Sequence, residues 1–254
     1  MNLTDHKVVV TGAASGIGLA IARALAAEGA QVVICDVDEA ALAAVRAEGF
    51  HALECDVSDR AACTGFMAEA IAHLGGLDTL VNNAGIAGPT GPVEEIAGED
   101  WDACLNICLT SQFNMTRAAV ASLRNSANAS IINISSLAGR VGFALRTPYA
   151  AAKWGVIGLT KSLAIELGPD KIRVNAILPG LVAGDRQRRV LEAKAQRLGA
   201  SFAETEARAF SYTSIRDYVT PEQIADQILF LASARGRTIS GQAISVCGDT
   251  QMLA

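Results

Sequence analysis

At 254 residues, with 51% of them apolar and 19% charged, the chain is long enough to bury a sizeable core and has the proportions of a globular domain. Its net charge of −5 gives no electrostatic footprint for nucleic acid or an anionic membrane, so neither is an expected partner. No apolar run reaches the roughly 18 residues of a membrane span, and the opening MNLTDHKVVVTG lacks a basic-then-apolar leader, which makes the cytoplasm the expected location.

Apolar β-branched runs alternate with helix-period segments along the chain. Strands are predicted over 8–11, 32–36, 52–56, 79–82, 130–134, 173–178 and 244–246. Helices are predicted over 17–28, 39–48, 60–74, 100–123, 149–167 and 221–232, where Ala and Leu recur at three- and four-residue spacing. This alternation implies an α/β fold: a single Rossmann-type domain over residues 1–254, with a doubly wound parallel sheet of about seven strands and helices on both faces. The stretch 179–220 carries no such period and is too long for a plain connection, so a substrate lid is expected near 183–215. The six cysteines form no CxxC pair, and His6, His51 and His73 are scattered; no metal site is expected.

The first strand runs into Thr11-Gly12-Ala13-Ala14-Ser15-Gly16-Ile17-Gly18, and a helix follows. Glycines there let the backbone turn tightly and approach a pyrophosphate, while the helix start offers free N–H groups. Gly12, Ser15, Gly16, Ile17 and Gly18 are therefore candidate cofactor contacts. The second strand ends at Asp36, 18 residues after Gly18, where a carboxylate accepts from ribose hydroxyls and repels a 2′-phosphate. No Arg or Lys lies in the glycine loop or just after Asp36, which favours NAD over NADP. Asp56, with Val57 beside it, follows the third strand in the same way and faces the adenine. Asn83, Ala84 and Gly85 close the fourth strand at the ligand-binding edge of such sheets.

Ser136 closes the fifth strand, and Tyr149-Ala150-Ala151-Ala152-Lys153 follows. Positions i and i+4 share one helix face, so the Lys153 ammonium sits near the Tyr149 hydroxyl and favours loss of its proton. Such a tyrosine takes a proton from an alcohol as hydride leaves, or returns one to a ketone. Ser136 then positions the substrate oxygen.

With TGAASGIG at 11–18, NNAG at 82–85, ISS at 134–136, YAAAK at 149–153 and LPG at 178–180, the chain resembles the short-chain dehydrogenase/reductase family over almost its whole length. The resemblance implies a homotetramer or homodimer packed through the two long helices. It also implies Ser136 as substrate-orienting residue, Tyr149 as acid/base, and Lys153 as ribose ligand. Pro179, Gly180 and Val182 would flank the nicotinamide. Three positions depart from the family pattern. Cys108 stands where an Asn holds a relay water. Gly184 stands where Thr is usual, and Cys247-Gly248-Asp249 replaces Asp-Gly-Gly.

Between 185 and 197, the basic residues Arg186, Arg188, Arg189, Lys194 and Arg197 stand against Asp185 and Glu192. They are read either as a solvated helical face or as a clamp for an anionic substrate. The reading that follows is an NAD-dependent oxidoreductase of small secondary alcohols or ketones: polyols, sugars, sugar acids or hydroxy acids. A 3-oxoacyl-thioester reductase and a non-catalytic NAD-binding sensor are the alternatives.

Overall fold

Strands rich in Val and Ile pair when both of their faces can be covered. In the computed structural model, which describes residues 1–253, the strands are β1 (Lys7–Thr11), β2 (Gln31–Asp36), β3 (His51–Glu54), β4 (Thr79–Asn82), β5 (Ser130–Ile134), β6 (Arg173–Pro179) and β7 (Ala243–Val246). They form one sheet in the order β3-β2-β1-β4-β5-β6-β7, and every neighbouring pair is parallel. Successive side chains alternate between faces: Val8 and Val10 enter one apolar layer and Val9 the other. Each is fully buried, a gain of about 2 kcal/mol per side chain.

The helices are α1 (Gly16–Ala27), α2 (Glu39–Ala47), α3 (Arg60–Leu74), α4 (Gly98–Leu105), α5 (Ser111–Leu123), α6 (Thr147–Leu167), α7 (Asp185–Leu198), α8 (Phe202–Ser211) and α9 (Pro221–Ala232). Helices α1, α2 and α9 cover the first face through Ile21, Leu25, Leu42, Ile224 and Ile228. Helices α3, α5 and α6 cover the second through Phe66, Met67, Met115, Leu123 and Leu167. Local chemistry sets the sharpest boundaries. Asp59 accepts from the Ala61 and Ala62 N–H groups to start α3, and Gly75 ends it in the left-handed region at φ 65°.

Two expectations need correction. The helix expected over 100–123 is interrupted by a π-turn at Asn106–Thr110, which separates α4 from α5. The stretch 179–220 is not irregular: it holds α7 and α8. Helix α7 buries only Leu191, Lys194 and Ala195, and α8 only Thr205, so neither packs a broad apolar face on the body. A parallel bridge between Val182 and Val219 joins the points where this lid leaves the body and returns to it.

Candidate active site

Because β1 and β4 are neighbours, connections on either side of them leave in opposite directions, and a crevice opens at the carboxyl ends of these strands. The crevice is a cleft of about 760 Å³. Every residue expected at the site lines it, from Gly12 and Asp36 at one end to Ser136, Tyr149, Lys153 and Val182 at the other.

The turn after β1 is built by close backbone approach. Gly12 has φ +60°, and a Cβ there would lie 2.7 Å from the Ala84 Cα. A Cβ on Gly18 would lie 2.3 Å from the Gly12 carbonyl oxygen. The loop after β4 holds this turn from the other side. The Asn83 amide donates to the Thr11 and Gly12 carbonyls at 3.0 and 2.8 Å, and the Asn83 and Ala84 N–H groups donate to the Thr11 hydroxyl. The Asn83 amide nitrogen and backbone N–H are thus both spent on holding the turn. Ser15 precedes α1 without a side-chain cap, so the first-turn N–H groups keep their capacity to meet an anion. Asp36 accepts from Ala14 N at 3.1 Å and from Val37 N at 2.8 Å, which fixes its carboxylate at the cleft wall. A cradle closed to any Cβ, an uncapped helix start and a fixed carboxylate are the features a dinucleotide fits.

Ser136 sits at the end of β5 with extended backbone and starts the short turn Leu137–Gly139 by accepting from Ala138 N at 3.1 Å. Lys153 is buried, donates from Nζ to the Ile134 carbonyl at 2.8 Å, and lies 5.7 Å from the Tyr149 ring centre. Two residues to which the sequence assigned no role support this arrangement. The Ser135 hydroxyl donates to the Lys153 carbonyl at 2.7 Å. A Cβ on Gly139 would lie 2.5 Å from that same carbonyl oxygen, so the glycine lets the serine turn dock on α6. A third, Arg146, stands just before α6, three residues ahead of Tyr149, and is almost fully buried.

The family departures have local reasons. Cys108 lies in the π-turn, fully buried, its thiol donating to the Ile86 carbonyl at 3.5 Å. A Cβ on Gly85 would lie 3.6 Å from both the Cys108 Sγ and the Lys153 Nζ, so the two groups converge there. A hydrogen bond from Cys104, and then the Lys153 charge, hold the Cys108 thiol below the usual cysteine range against the opposing effect of burial. The π-turn also redirects backbone bonding: the Ile107 and Cys108 carbonyls accept from the Ser111 hydroxyl and the Gln112 amide at 2.7 and 3.2 Å. Gly184 has φ +138°, a conformation that disfavours threonine. Cys247 is pressed against Gly180, where a Cβ would come within 2.7 Å of its Cα.

The lid cations divide. Arg186 reaches back to the Gly85 carbonyl at 2.7 Å, and Arg189 lines the cleft. Arg197 pairs with Glu95 at 2.5 Å. Arg188 is 72% exposed and pairs with Glu192 at 2.8 Å on the outer face of α7. Such a pair is worth at most about 1 kcal/mol. Arg188→Ala is therefore expected to change kcat/KM by less than about twofold; a tenfold loss on an acidic substrate would put the clamp on this outer face.

Residues 12–248 match a family model described as enoyl-(acyl carrier protein) reductase. The chain belongs to the short-chain dehydrogenase/reductase family. It is 39% identical to a monensin polyketide synthase ketoacyl reductase, recorded as putative, of Streptomyces virginiae, over 96% of this chain and 97% of the other. It is also 39% identical to trans-4-hydroxycyclohexanecarboxylate dehydrogenase of Sinomonas cyclohexanicum, over 97% and 93%. The structure of NAD+-bound xylitol dehydrogenase superposes with a TM-score of 0.91 at 29% identity, covering 98% of this chain and 100% of that one. As a member of this family the chain is an oxidoreductase acting on CH–OH groups. Among the described residues, no helix is long and apolar enough to cross a membrane.

Proposed function

We propose that the protein is an NAD-dependent dehydrogenase of small secondary alcohols, working in either direction, with Tyr149 as the acid/base. One observation carries this reading: Ser136, Tyr149 and Lys153 line the same cleft as the glycine turn and Asp36. When bound, the nicotinamide accepts or supplies the hydride. Ser136 orients the substrate oxygen by hydrogen bonding; the Tyr149 hydroxyl gives its proton to a ketone oxygen, and the Tyr149 phenolate takes the proton from an alcohol. Lys153, held by the Ile134 carbonyl, binds the ribose and keeps a positive charge beside the phenol ring. Val182, Pro179 and Gly180 line the same cleft and would form the wall beside the nicotinamide. Assembly through α5 and α6 is supported by Phe113, Trp154 and Ile165, which stand 44, 51 and 81% exposed on those helices.

Asp36 supports NAD over NADP. Its fixed carboxylate accepts from ribose hydroxyls and repels a phosphate at the same place. Asp36→Ala is expected to shift the NAD/NADP ratio of kcat/KM by at least about tenfold toward NADP. Turnover of a panel of polyols, sugar acids and hydroxy acids with each cofactor measures it, and an unchanged ratio would remove Asp36 as the discriminator. A ketoacyl reductase is the second reading, favoured by the resemblance to the Streptomyces virginiae protein. NADPH-linked reduction of an acetoacetyl thioester, exceeding any NAD-linked alcohol oxidation, would establish it instead.

A further inference from the structure

An arginine is seldom buried without a carboxylate to meet it, because desolvating its charge costs several kcal/mol. Arg146 is 2% exposed. Among the described residues no Asp or Glu lies within ion-pair range of it. One guanidinium nitrogen donates to the Ala87 carbonyl, while Nε has no partner. Two aromatic rings supply the rest of its surroundings: the guanidinium carbon lies 5.2 Å from the Tyr149 ring centre and 5.3 Å from that of Phe143. Burial pushes its pKa down, opposed by the nearby Tyr149, Cys104 and Cys108. A cation with donor capacity to spare thus stands against the ring of the proposed acid/base.

The surroundings also say how a ligand reaches it. Phe143 lines a small pocket with Gln187, Leu191 and Lys194. Gln187 lines the main cleft as well, so the two spaces adjoin. Lys194 is buried there, with Nζ 4.1 Å from the Phe143 ring centre. The Phe143 ring thus borders the small pocket on one side and lies 5.3 Å from the guanidinium carbon on the other, so a turn of that ring would open Arg146 to the small pocket that adjoins the cleft.

We propose that Arg146 is the anchor for an oxyanion head group on the substrate, a carboxylate or sulfonate, and that Phe143 is the gate over it. The substrates are then short hydroxy or oxo acids, with the head group close to the reacting carbon because Arg146 and Tyr149 are neighbours. This rests on the reading of Tyr149 as acid/base and names the substrate class for that site. A guanidinium is suited to the task because its planar fork donates two parallel hydrogen bonds to an oxyanion.

The test compares matched substrates and non-reacting probes. 3-Hydroxybutyrate and its methyl ester differ in the head-group charge, and the wild type is expected to favour the acid. Arg146→Met should reduce the acid/ester ratio of kcat/KM at least about 30-fold, because it removes the buried partner of the head group. Arg146→Lys should restore part of that ratio. Propionate and methanesulfonate, titrated into the NADH complex and followed by nucleotide fluorescence, test binding without turnover. The probe that binds the wild type more tightly names the head group, and Arg146→Met should weaken it by a similar factor. An acid/ester ratio that does not move in Arg146→Met, or a wild-type NADH complex that binds neither probe, overturns the proposal. The dehydrogenase reading fails separately, on a chain that turns over no alcohol or ketone with either cofactor.

Discussion

Tyr149→Phe is expected to lower kcat by about 10³-fold on every substrate, since general acid–base catalysis contributes about 10² to 10⁴. The substitution removes one oxygen and keeps the ring that stands beside Lys153 and Arg146. NADH binding should therefore stay within about threefold of the wild type, as read by nucleotide fluorescence. Single-turnover kinetics separate the outcomes. A loss confined to the chemical step fits Tyr149 as proton donor and acceptor. Activity retained above a tenth of the wild type would move that role to another residue.

Gly18→Ala is expected to have an effect of another kind. The added Cβ would meet the Gly12 carbonyl at 2.3 Å, the Asn83 amide nitrogen at 2.5 Å and the Ala13 Cα at 2.7 Å. Two of these three are backbone, so α1 must move away from the turn after β1. Overpacking of this sort costs about 1–3 kcal/mol, which for a chain of this size lowers Tm by roughly 2–10 °C. Cofactor affinity should fall further, by at least about tenfold, because the helix start and the turn no longer face one ligand together. Thermal melts with and without NADH measure both. An unchanged dissociation constant would show that the turn does not carry the nucleotide.

How far the sequence revealed these things depends on what each residue type says by itself. β4 at Thr79–Asn82, α3 and α9 were readable to the residue, because apolar runs there end on strong signals: Asp59 before α3, and Thr220-Pro221 with Gln223 before α9. The glycine turn and the Tyr149–Lys153 pair were readable because their chemistry dictates their spacing. Helices α7 and α8 were not: charged residues crowd α7 and few side chains of either helix are buried, although the Ser201 and Glu204 capping box was a sign of the second. The π-turn left no trace, because a single extra residue in a helical run changes no composition. Arg146 was invisible for a further reason: arginine is ordinarily a surface residue, and only its burial among Phe143, Tyr149 and Ala87 sets it apart.

The nucleotide cradle is assembled from two distant pieces of chain, since the turn after β1 is held by Asn83 and Ala84 from the loop after β4. During synthesis at roughly 5–20 residues per second, the glycine turn thus leaves the ribosome several seconds before its buttress. Until β4 pairs with β1, the strand carrying the turn also has an open edge, a template for wrong pairing. The nascent chain gains its ligand only after that central pairing is made. Nucleotide in the surrounding solution would therefore act late, trapping molecules whose sheet has already closed at its centre and leaving earlier misfolding uncorrected.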